Sequence, residues 1–293
     1  MRNAFIQELV ALARNCPQIA LVVGDLGYSV IESFADEFPD RFINAGVAEQ
    51  NMTGLAAGMA SEGYHVFTYS IANFPTFRCA EQIRNDVAYH NLPVTVVAVG
   101  GGLGYGALGY SHHAVQDYAL LRSFPNVLIA APGDPLEVRA CMQYLVVNPG
   151  PSYLRLGKAG EPSFHGKVPI VEPGRWIEVS PGESGETLLS TGAVLAYAME
   201  CQRKATGAKP SVHSLPLWGM KSKQLQVDQI GKHKTVTSFE DHLRDGGFGS
   251  WLMEATAEYG GELARLKTVA LDSRVCGTVG SQAMLNNYGG LRE

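Results

Sequence analysis

The sequence of 293 residues is poor in charge, because only 17% of its residues are Asp, Glu, Lys or Arg. It has no run of Lys and Arg, and its net charge of −5 argues against nucleic acid as a partner. No apolar run approaches the roughly 20 residues that span a bilayer. The N-terminal segment 1–10 lacks the basic and then apolar layout of a signal peptide. We therefore expect a cytoplasmic protein that binds neither nucleic acid nor membranes.

Cysteine is also scarce. The five cysteines are odd in number and scattered, and none lies at a spacing typical of metal ligands. We therefore expect reduced thiols, with neither a disulfide framework nor a metal site in this chain. Hydrophobic residues make up 46% of the sequence, which is ample for a buried core in each of two domains. The cysteines are Cys16, Cys79, Cys141, Cys201 and Cys276.

Short apolar runs alternate with helical patterns along the whole chain. Strands separated by helices predict parallel sheets covered on both faces, so the predicted fold class is α/β with two doubly wound domains. We expect domains at 1–160 and 187–293, joined by a proline-rich linker at 161–186. The predicted strands are 19–23, 66–69, 94–99, 127–130, 187–190, 210–215, 235–238 and 265–271, and the predicted helices are 5–14, 45–63, 79–90, 117–123, 135–147, 193–204 and 248–259.

The segment from Asn44 to Met52 contains the most informative carboxylate of the chain, Glu49. It lies near the start of a predicted helix that is otherwise almost uncharged and whose small apolar residues bury most of its surface. A carboxylate in such a place must be neutral, paired, or directed at a polar partner. It either stabilises the helix start through the helix dipole or contacts a cofactor ring.

The run from Phe42 through Met52 resembles the pyrimidine-binding domain of transketolases and their thiamine-diphosphate relatives. In that family the Glu of an A-E-Q-N-M-like helix start hydrogen-bonds a ring nitrogen of the cofactor's aminopyrimidine. The contact favours the imino tautomer, which deprotonates the thiazolium carbon. Glu49 matches this residue, so the resemblance implies thiamine diphosphate as cofactor and Glu49 as a catalytic and cofactor-binding residue.

Three aromatic residues follow the second predicted strand, in the segment 69–77. Aromatic residues at strand ends are usually core residues, but the resemblance implies that such a loop cradles the aminopyrimidine by stacking. We expect Phe74 to stack on the ring and Tyr69 and Phe77 to form supporting walls.

A glycine-rich segment, 100–109, follows the third predicted strand and leads to His112 and His113. It matches neither the Walker pattern nor a dinucleotide fingerprint, and we interpret it as a flexible active-site loop. Adjacent histidines cannot readily share one metal, so a zinc site is not expected. His112 matches the His of the T-H-Q step of transketolases, which implies proton transfer or oxyanion stabilisation at the substrate. His113 is a second candidate for substrate contact.

Three further residues match the family's site. Asp25 and Ser29 match a D-L-x-x-S step at its mouth, which places Asp25 near the cofactor and Ser29 near the far end of the sugar. Arg155 matches an Arg that binds substrate phosphate in many members. Its alternative role is an ion pair at the surface or at an interface.

The second half contains Glu240-Asp241-His242 before Gly246-Gly247, and resembles the E-E-H…G-G-x-G stretch of the transketolase C-terminal domain. The chain lacks the G-D-G…N signature with which full-length transketolases hold the diphosphate through Mg²⁺. The resemblance therefore implies the C-terminal subunit of a split enzyme. A partner chain would hold Mg²⁺, in an assembly of two copies of each chain.

Two departures from the family concern the substrate. Gly100 stands where many transketolases have a phosphate-binding His, and Leu108 stands where they have an Asp that contacts a substrate hydroxyl. Both argue against an ordinary phosphoketose donor, and leave a modified, deoxy or nucleotide-linked sugar or a 2-oxo acid open. We expect a subunit that transfers a two-carbon ketol unit from a ketose-like donor to an aldehyde. The alternatives are a decarboxylating carboligase like deoxyxylulose-phosphate synthase, a 2-oxo acid dehydrogenase beta subunit, or a non-catalytic scaffold.

Overall fold

The computed structural model describes residues 1–291, within which the strands form two sheets. The strands are β1 Ile19–Val23, β2 Phe42–Asn44, β3 His65–Ile71, β4 Val94–Val99, β5 Leu128–Ala130, β6 Ser152–Leu156, β7 Ile177–Ser180, β8 Glu186–Ser190, β9 Ser211–Ser214, β10 Leu217–Trp218, β11 Thr235–Leu243 and β12 Leu266–Leu271.

Helices connect most of these strands. The α-helices are α1 Arg2–Asn15, α2 Glu32–Glu37, α3 Glu49–Ser61, α4 Asn73–Phe77, α5 Ala80–Gln82, α6 Asp117–Leu121, α7 Pro135–Val147, α8 Leu195–Lys204, α9 Gln224–Ile230, α10 Phe248–Glu258 and α11 Gln282–Tyr288. Helix α5 continues into a π-helical segment, Ile83–Ala88, and short 3₁₀ turns lie at Pro39–Arg41, Gly106–Leu108, Tyr110–His112, Gly192–Val194, Met220–Ser222, Leu263–Arg265 and Ser273–Gly277. None of the helices in residues 1–291 is long and apolar enough to cross a membrane.

The first sheet has the order β10-β5-β6-β4-β3-β1-β2 and is parallel except for β10, which pairs antiparallel with β5. The second has the order β12-β11-β8-β9-β7 and is parallel except for β7, which pairs antiparallel with β9. Continuous apolar strands such as β1 and β4 are buried along their whole length, as strands covered on both faces require. The predicted α/β class with doubly wound parallel sheets is confirmed.

Two strands bear on the predicted domain boundaries, which themselves stay a prediction. Strand β7 lies inside the segment 161–186 that we expected to be a linker, and it forms an edge of the second sheet. Strand β10 comes from the second half of the sequence but pairs with the first sheet, where Leu217 lies opposite Ala130. The two halves are therefore joined by chain that crosses between the sheets.

Of the predicted helices, 135–147 has the predicted bounds, four others differ by a few residues at their ends, and two differ more. The helix expected at 45–63 begins only at Glu49, because Gly46 has a φ of 71° and Ala48 has non-helical backbone angles. The helix expected at 79–90 is replaced by α4, α5 and the π-helical segment, with a break at Cys79. Both differences bring backbone irregularity to the carboxyl edge of the first sheet.

The first sheet has a different helix layer on each face. Phe67 and Tyr69 of β3 pack in a cluster with α1 residues such as Phe5. Val66 of the same strand packs on the other face with α3 residues such as Ala56. Since side chains alternate along a strand, Ser70 faces the α3 side together with Val66. The first residue of α3 therefore lies beside the carboxyl ends of β1 and β3.

Candidate active site

Glu49 is the first residue of α3, and it is almost fully buried, with 1% of its surface exposed. Its Oε2 accepts a hydrogen bond of 2.7 Å from Nη1 of Arg78. In the first turn of the helix, Thr53 Oγ1 donates to the carbonyl oxygen of Glu49 at 2.9 Å. The buried carboxylate is thus paired, as its position requires, and its backbone is fixed by the helix.

Gly24 and Ser70 form the wall beside this carboxylate. A Cβ atom added at Gly24 would lie 3.4 Å from Ser70 Oγ and 3.6 Å from Glu49 Cγ, which are ordinary contact distances, so both side chains border position 24. The hydroxyl of Ser70 is buried and has no hydrogen-bond partner among the described residues. Buried polar groups normally have partners, so an unpartnered one beside a buried carboxylate favours a ligand site here.

Arg78 connects Glu49 to an aromatic side chain. Its guanidinium carbon lies 4.5 Å from the centroid of the Phe74 ring, within the range of a cation–π contact. The Phe74 ring in turn meets the imidazole of His112 edge to face, with 5.0 Å between ring centroids. The structure therefore brings together Glu49, Phe74 and His112, which come from α3, α4 and the 3₁₀ turn Tyr110–His112.

His112 is half-buried and held by its neighbours. Its Nδ1 lies 3.0 Å from Ser111 Oγ, and Asn73 Nδ2 donates to the Ser111 carbonyl oxygen at 2.9 Å. Burial, and secondly the adjacent His113, lowers the pKa of His112 from its ordinary value. The imidazole is therefore neutral at neutral pH, the state in which it can accept a proton.

His113 does not share this setting. It is buried, and its Nε2 lies 3.2 Å from the carbonyl oxygen of Gly106, while Nδ1 has no partner within residues 1–291. Because its ring packs inward against the glycine-rich segment, the structure disagrees with the expectation that His113 contacts substrate.

Arg155 is not placed for phosphate binding, and of its alternative roles it has the ion pair at an interface, the one between the two sheets. It is buried rather than at the surface, and its Nε donates to Asp117 Oδ2 at 2.6 Å. Its Nη1 donates to Asp241 Oδ1, and its Nη2 donates to the carbonyl oxygens of Ala114 and Asp241. All three nitrogens are engaged within the protein, so this placement disagrees with phosphate binding. Arg155 instead joins the first sheet to the second.

The supporting walls expected from Tyr69 and Phe77 are placed differently. Tyr69 is fully buried and stacks on Phe5 at 5.6 Å between centroids, on the sheet face opposite Ser70. It therefore does not reach the Glu49 side. Phe77 follows Phe74 by almost one helical turn and is 41% exposed, so it remains available at the rim.

Asp25 and Ser29 lie in the loop after β1 and are both exposed. They have positive φ angles of 54° and 64°, which are uncommon for residues other than glycine. Asp25 Oδ1 accepts a hydrogen bond of 2.9 Å from Asn44 Nδ2. The Ser29 backbone N–H donates a hydrogen bond to Glu32 Oε1 at 2.7 Å. Such constrained residues at a strand end are typical of functional loops.

Sequence reasoning missed Tyr105 and Arg78. At Gly100, with a φ of 75°, an added Cβ would collide with the Tyr105 ring, so this ring takes the space of the missing side chain. The ring centroid lies 6.5 Å from that of His112 and 5.0 Å from Nζ of Lys158. A usable signal existed for each residue: Tyr105 is the sole aromatic residue of segment 100–109, and Arg78 is the sole Lys or Arg between 42 and 83.

A resident metal would need ligands close together. Within residues 1–291, no group of three or more His, Cys, Asp or Glu side chains is arranged to hold a metal ion.

Known proteins are similar to this chain in sequence and in fold. Residues 1–160 match the family model described as transketolase, pyrimidine binding domain. The chain is 33% identical to one of the subunits of apulose-4-phosphate transketolase from Phocaeicola vulgatus, over 88% of this chain and 83% of that protein. It is 32% identical to a putative transketolase C-terminal section of Methanocaldococcus jannaschii, over 89% of this chain and 83% of that protein.

A solved structure gives the same result in three dimensions. It is a split gene transketolase, described as an inactive beta4 tetramer, and it superposes with a TM-score of 0.84 at 32% identity. The superposition covers 99% of this chain and 93% of the other. The likeness therefore extends over both sheets and the segments that join them.

Proposed function

The chain belongs to the transketolase family, as a transketolase-like transferase subunit, and we propose that it uses thiamine diphosphate to transfer a two-carbon ketol unit from a ketose-like donor to an aldehyde. The observation that carries this proposal is the buried carboxylate of Glu49, which Arg78 connects to the ring of Phe74. In the family such a pair contacts the aminopyrimidine of the cofactor.

The residues present fit that ring. Glu49 provides a buried carboxylate and Phe74 provides an aromatic face. The Ser70 hydroxyl has no partner among the described residues, and it borders Gly24 together with the Glu49 side chain. When bound, thiamine diphosphate supplies a nucleophilic thiazolium carbon and an electron sink for the carbon–carbon cleavage. Glu49 holds a proton at a ring nitrogen, and Phe74 fixes the ring plane by stacking.

His112 acts on the substrate side of this site. As a neutral imidazole, it accepts a proton from a donor hydroxyl or stabilises the oxygen of the reacting carbonyl. Its position is fixed by Ser111 and by the edge-to-face contact with Phe74. Asp25 and Ser29 lie at the mouth, and we propose that they contact the cofactor and the far end of the sugar.

A partner chain completes the enzyme. The similar proteins are named as one subunit of a transketolase, as a C-terminal section and as a split gene transketolase, which supports a second chain for this one as well. We propose that the partner holds Mg²⁺ and the diphosphate, since the sequence lacks G-D-G. The proposed assembly has two copies of each chain, in the cytoplasm, and the proposed domains remain 1–160 and 187–293.

The substrate's far end lies against Tyr105 in this proposal. The ring closes the space left by Gly100, and Lys158 lies over it as a cation that can meet an anionic group. Leu108 stands where many transketolases have an Asp that contacts a substrate hydroxyl. Its side chain is 57% exposed and offers no hydrogen bond to a sugar hydroxyl. A donor that lacks the usual hydroxyl at that position fits this wall best.

The test begins with co-purification of the tagged chain from its own cells, followed by mass spectrometry. We expect a stoichiometric partner that carries G-D-G…N. The complex should lose turnover when Glu49 is changed to Gln, whereas Arg14→Gln, in an exposed pair with Glu37, should leave turnover unchanged. Normal turnover of the Glu49→Gln complex would refute the assigned role. Release of CO₂ from pyruvate would instead identify a decarboxylating enzyme, either a carboligase or a 2-oxo acid dehydrogenase, and failure of the complex to bind thiamine diphosphate would identify a scaffold.

A further inference from the structure

We infer that Arg78 is a positioning residue whose guanidinium occupies the place of the cofactor's aminopyrimidine between Glu49 and Phe74. The inference rests on the proposed function, because it takes Glu49 and Phe74 as the ring's partners. It adds that the ring enters only when the Arg78 side chain moves aside.

The geometry of Arg78 matches what an aminopyrimidine needs. One edge of the guanidinium donates to Glu49 Oε2 at 2.7 Å, and its carbon lies 4.5 Å from the Phe74 ring centroid. A guanidinium is planar and delocalised, carries N–H donors on its edge and stacks on aromatic faces. An aminopyrimidine is likewise flat, and in the proposed function a nitrogen on its edge shares a proton with Glu49. The same two protein groups therefore serve either occupant, but not both at once.

The burial of the two partners differs, and this difference makes displacement feasible. The Glu49 side chain is 1% exposed, so without any partner it would be a buried, unpaired carboxylate. The Arg78 side chain is 45% exposed, so it regains water when it swings outward. Arg78 thus pairs with Glu49 and orients it in the free chain, and it can leave when a ring replaces it.

The backbone around Arg78 supports such a movement. Arg78 lies between α4 and α5, at the end of one short helix, and Cys79 interrupts the helical geometry that follows. The guanidinium has no hydrogen bond to any other described residue, because its partner is Glu49 alone. One hydrogen bond and one ring contact therefore hold it in place.

The consequence is a lower affinity for the ring than the emptied site would have. A bound ring must displace Arg78 from Glu49 and Phe74. The observed dissociation constant of the ring is therefore raised, because only the fraction of chains in which Arg78 has moved aside can bind it. Removing the guanidinium should therefore strengthen ring binding, whereas removing an ordinary binding residue would weaken it. The opposite signs separate the two roles.

The experiment uses the full chain without its partner, with 4-amino-2-methylpyrimidine as the probe and calorimetry as the readout. We expect Arg78→Ala to bind the probe about tenfold more tightly than the wild type, which corresponds to about 1.4 kcal/mol. Methylguanidinium, which restores the missing group, should compete with the probe in Arg78→Ala. Arg14→Ala is the matched control, since it removes an arginine from a pair that is exposed on both sides, and it should bind like the wild type.

A second variant covers the case in which Arg78→Ala does not fold with an unpaired Glu49. Arg78→Gln keeps a planar amide that can donate to the carboxylate, and it should bind the probe more tightly than the wild type by a smaller factor. Equal binding by the wild type and the folded variants, weaker binding by the variants, or no binding to any of them would overturn the inference. Failure of the proposed function is a separate outcome. It would be seen as normal turnover of the assembled Glu49→Gln enzyme, independently of how tightly the chain binds the probe.

Discussion

Two contacts between an arginine and carboxylates differ sharply in this molecule. Arg155 is buried together with Asp117 and Asp241, and its nitrogens make four hydrogen bonds that join the two sheets. Arg78 makes one hydrogen bond to a buried Glu49 and is itself half exposed. The first arrangement can be broken only by leaving buried charges behind, whereas the second can exchange its arginine for a ligand. The burial of both the arginine and its carboxylate partners, rather than the residue types, distinguishes the structural contact of Arg155 from the exchangeable contact of Arg78.

The largest effect is expected at the buried contact. Arg155→Leu leaves two carboxylates without their cation, and breaking a buried pair in this way costs about 3–5 kcal/mol. Urea unfolding at neutral pH measures the loss, and Arg14→Leu serves as the control because its pair with Glu37 is exposed. A loss no larger than that of the control would show that Arg155 does not hold the sheets together.

Changes near the contact between Arg78 and Glu49 should instead affect activity. His112→Gln removes the neutral imidazole next to Phe74, and general acid–base groups contribute at least about 100-fold to turnover. We expect kcat to fall by about that factor while the urea midpoint stays unchanged. Because burial lowers the pKa of His112 from 6.5, wild-type kcat should decline only when the pH falls below that value. Parallel losses of kcat and stability would place His112 with the structural residues.

The sequence predicted the family and eight of the twelve strands because both depend on local patterns, and it missed β2, β6, β7 and β10. The resemblance seen at Phe42 to Met52 is confirmed by the match of residues 1–160, and β4 has the predicted bounds. Glu49 was recognised because a lone carboxylate in an apolar helix is visible in the sequence itself.

What the sequence could not predict depends on distant parts of the chain. Glu49 and Arg78 are separated by 29 positions, and Arg155 and Asp241 by 86. Tyr69 was misplaced for another reason. Both faces of a parallel sheet are buried, so the apolar pattern of β3 does not tell which alternate side chains face the site.

A smaller effect is expected from Glu240, which lies next to the buried contact. Burial raises the pKa of Glu240 to about 8, although its carboxyl group accepts hydrogen bonds from the backbone of Phe248 and Gly249. The unfolded carboxyl titrates near 4.5, so stability from the protonated form is complete below that pH and is lost as the pH rises through 8. Relative to Glu240→Gln, the wild type should lose about 2 kcal/mol of unfolding free energy between pH 6 and pH 8. Urea unfolding of both proteins at each pH tests this, and a constant difference between them would contradict it.

The smallest effect should come from Phe74, whose ring contacts Arg78 and, in the proposed function, the ring of the cofactor. Phe74→Leu keeps an apolar side chain but removes the aromatic face, and such stacking contributes about 0.5–1.5 kcal/mol. The dissociation constant of thiamine diphosphate in the assembled enzyme should therefore rise by roughly two- to twelvefold, with kcat at saturating cofactor changed much less. Phe77→Leu is the matched control: its ring lies at the exposed rim, so its loss should weaken cofactor binding less. If Phe77→Leu weakened binding more than Phe74→Leu, the stacking ring would be Phe77, and the place that Arg78 fills would not be the place of the cofactor's ring.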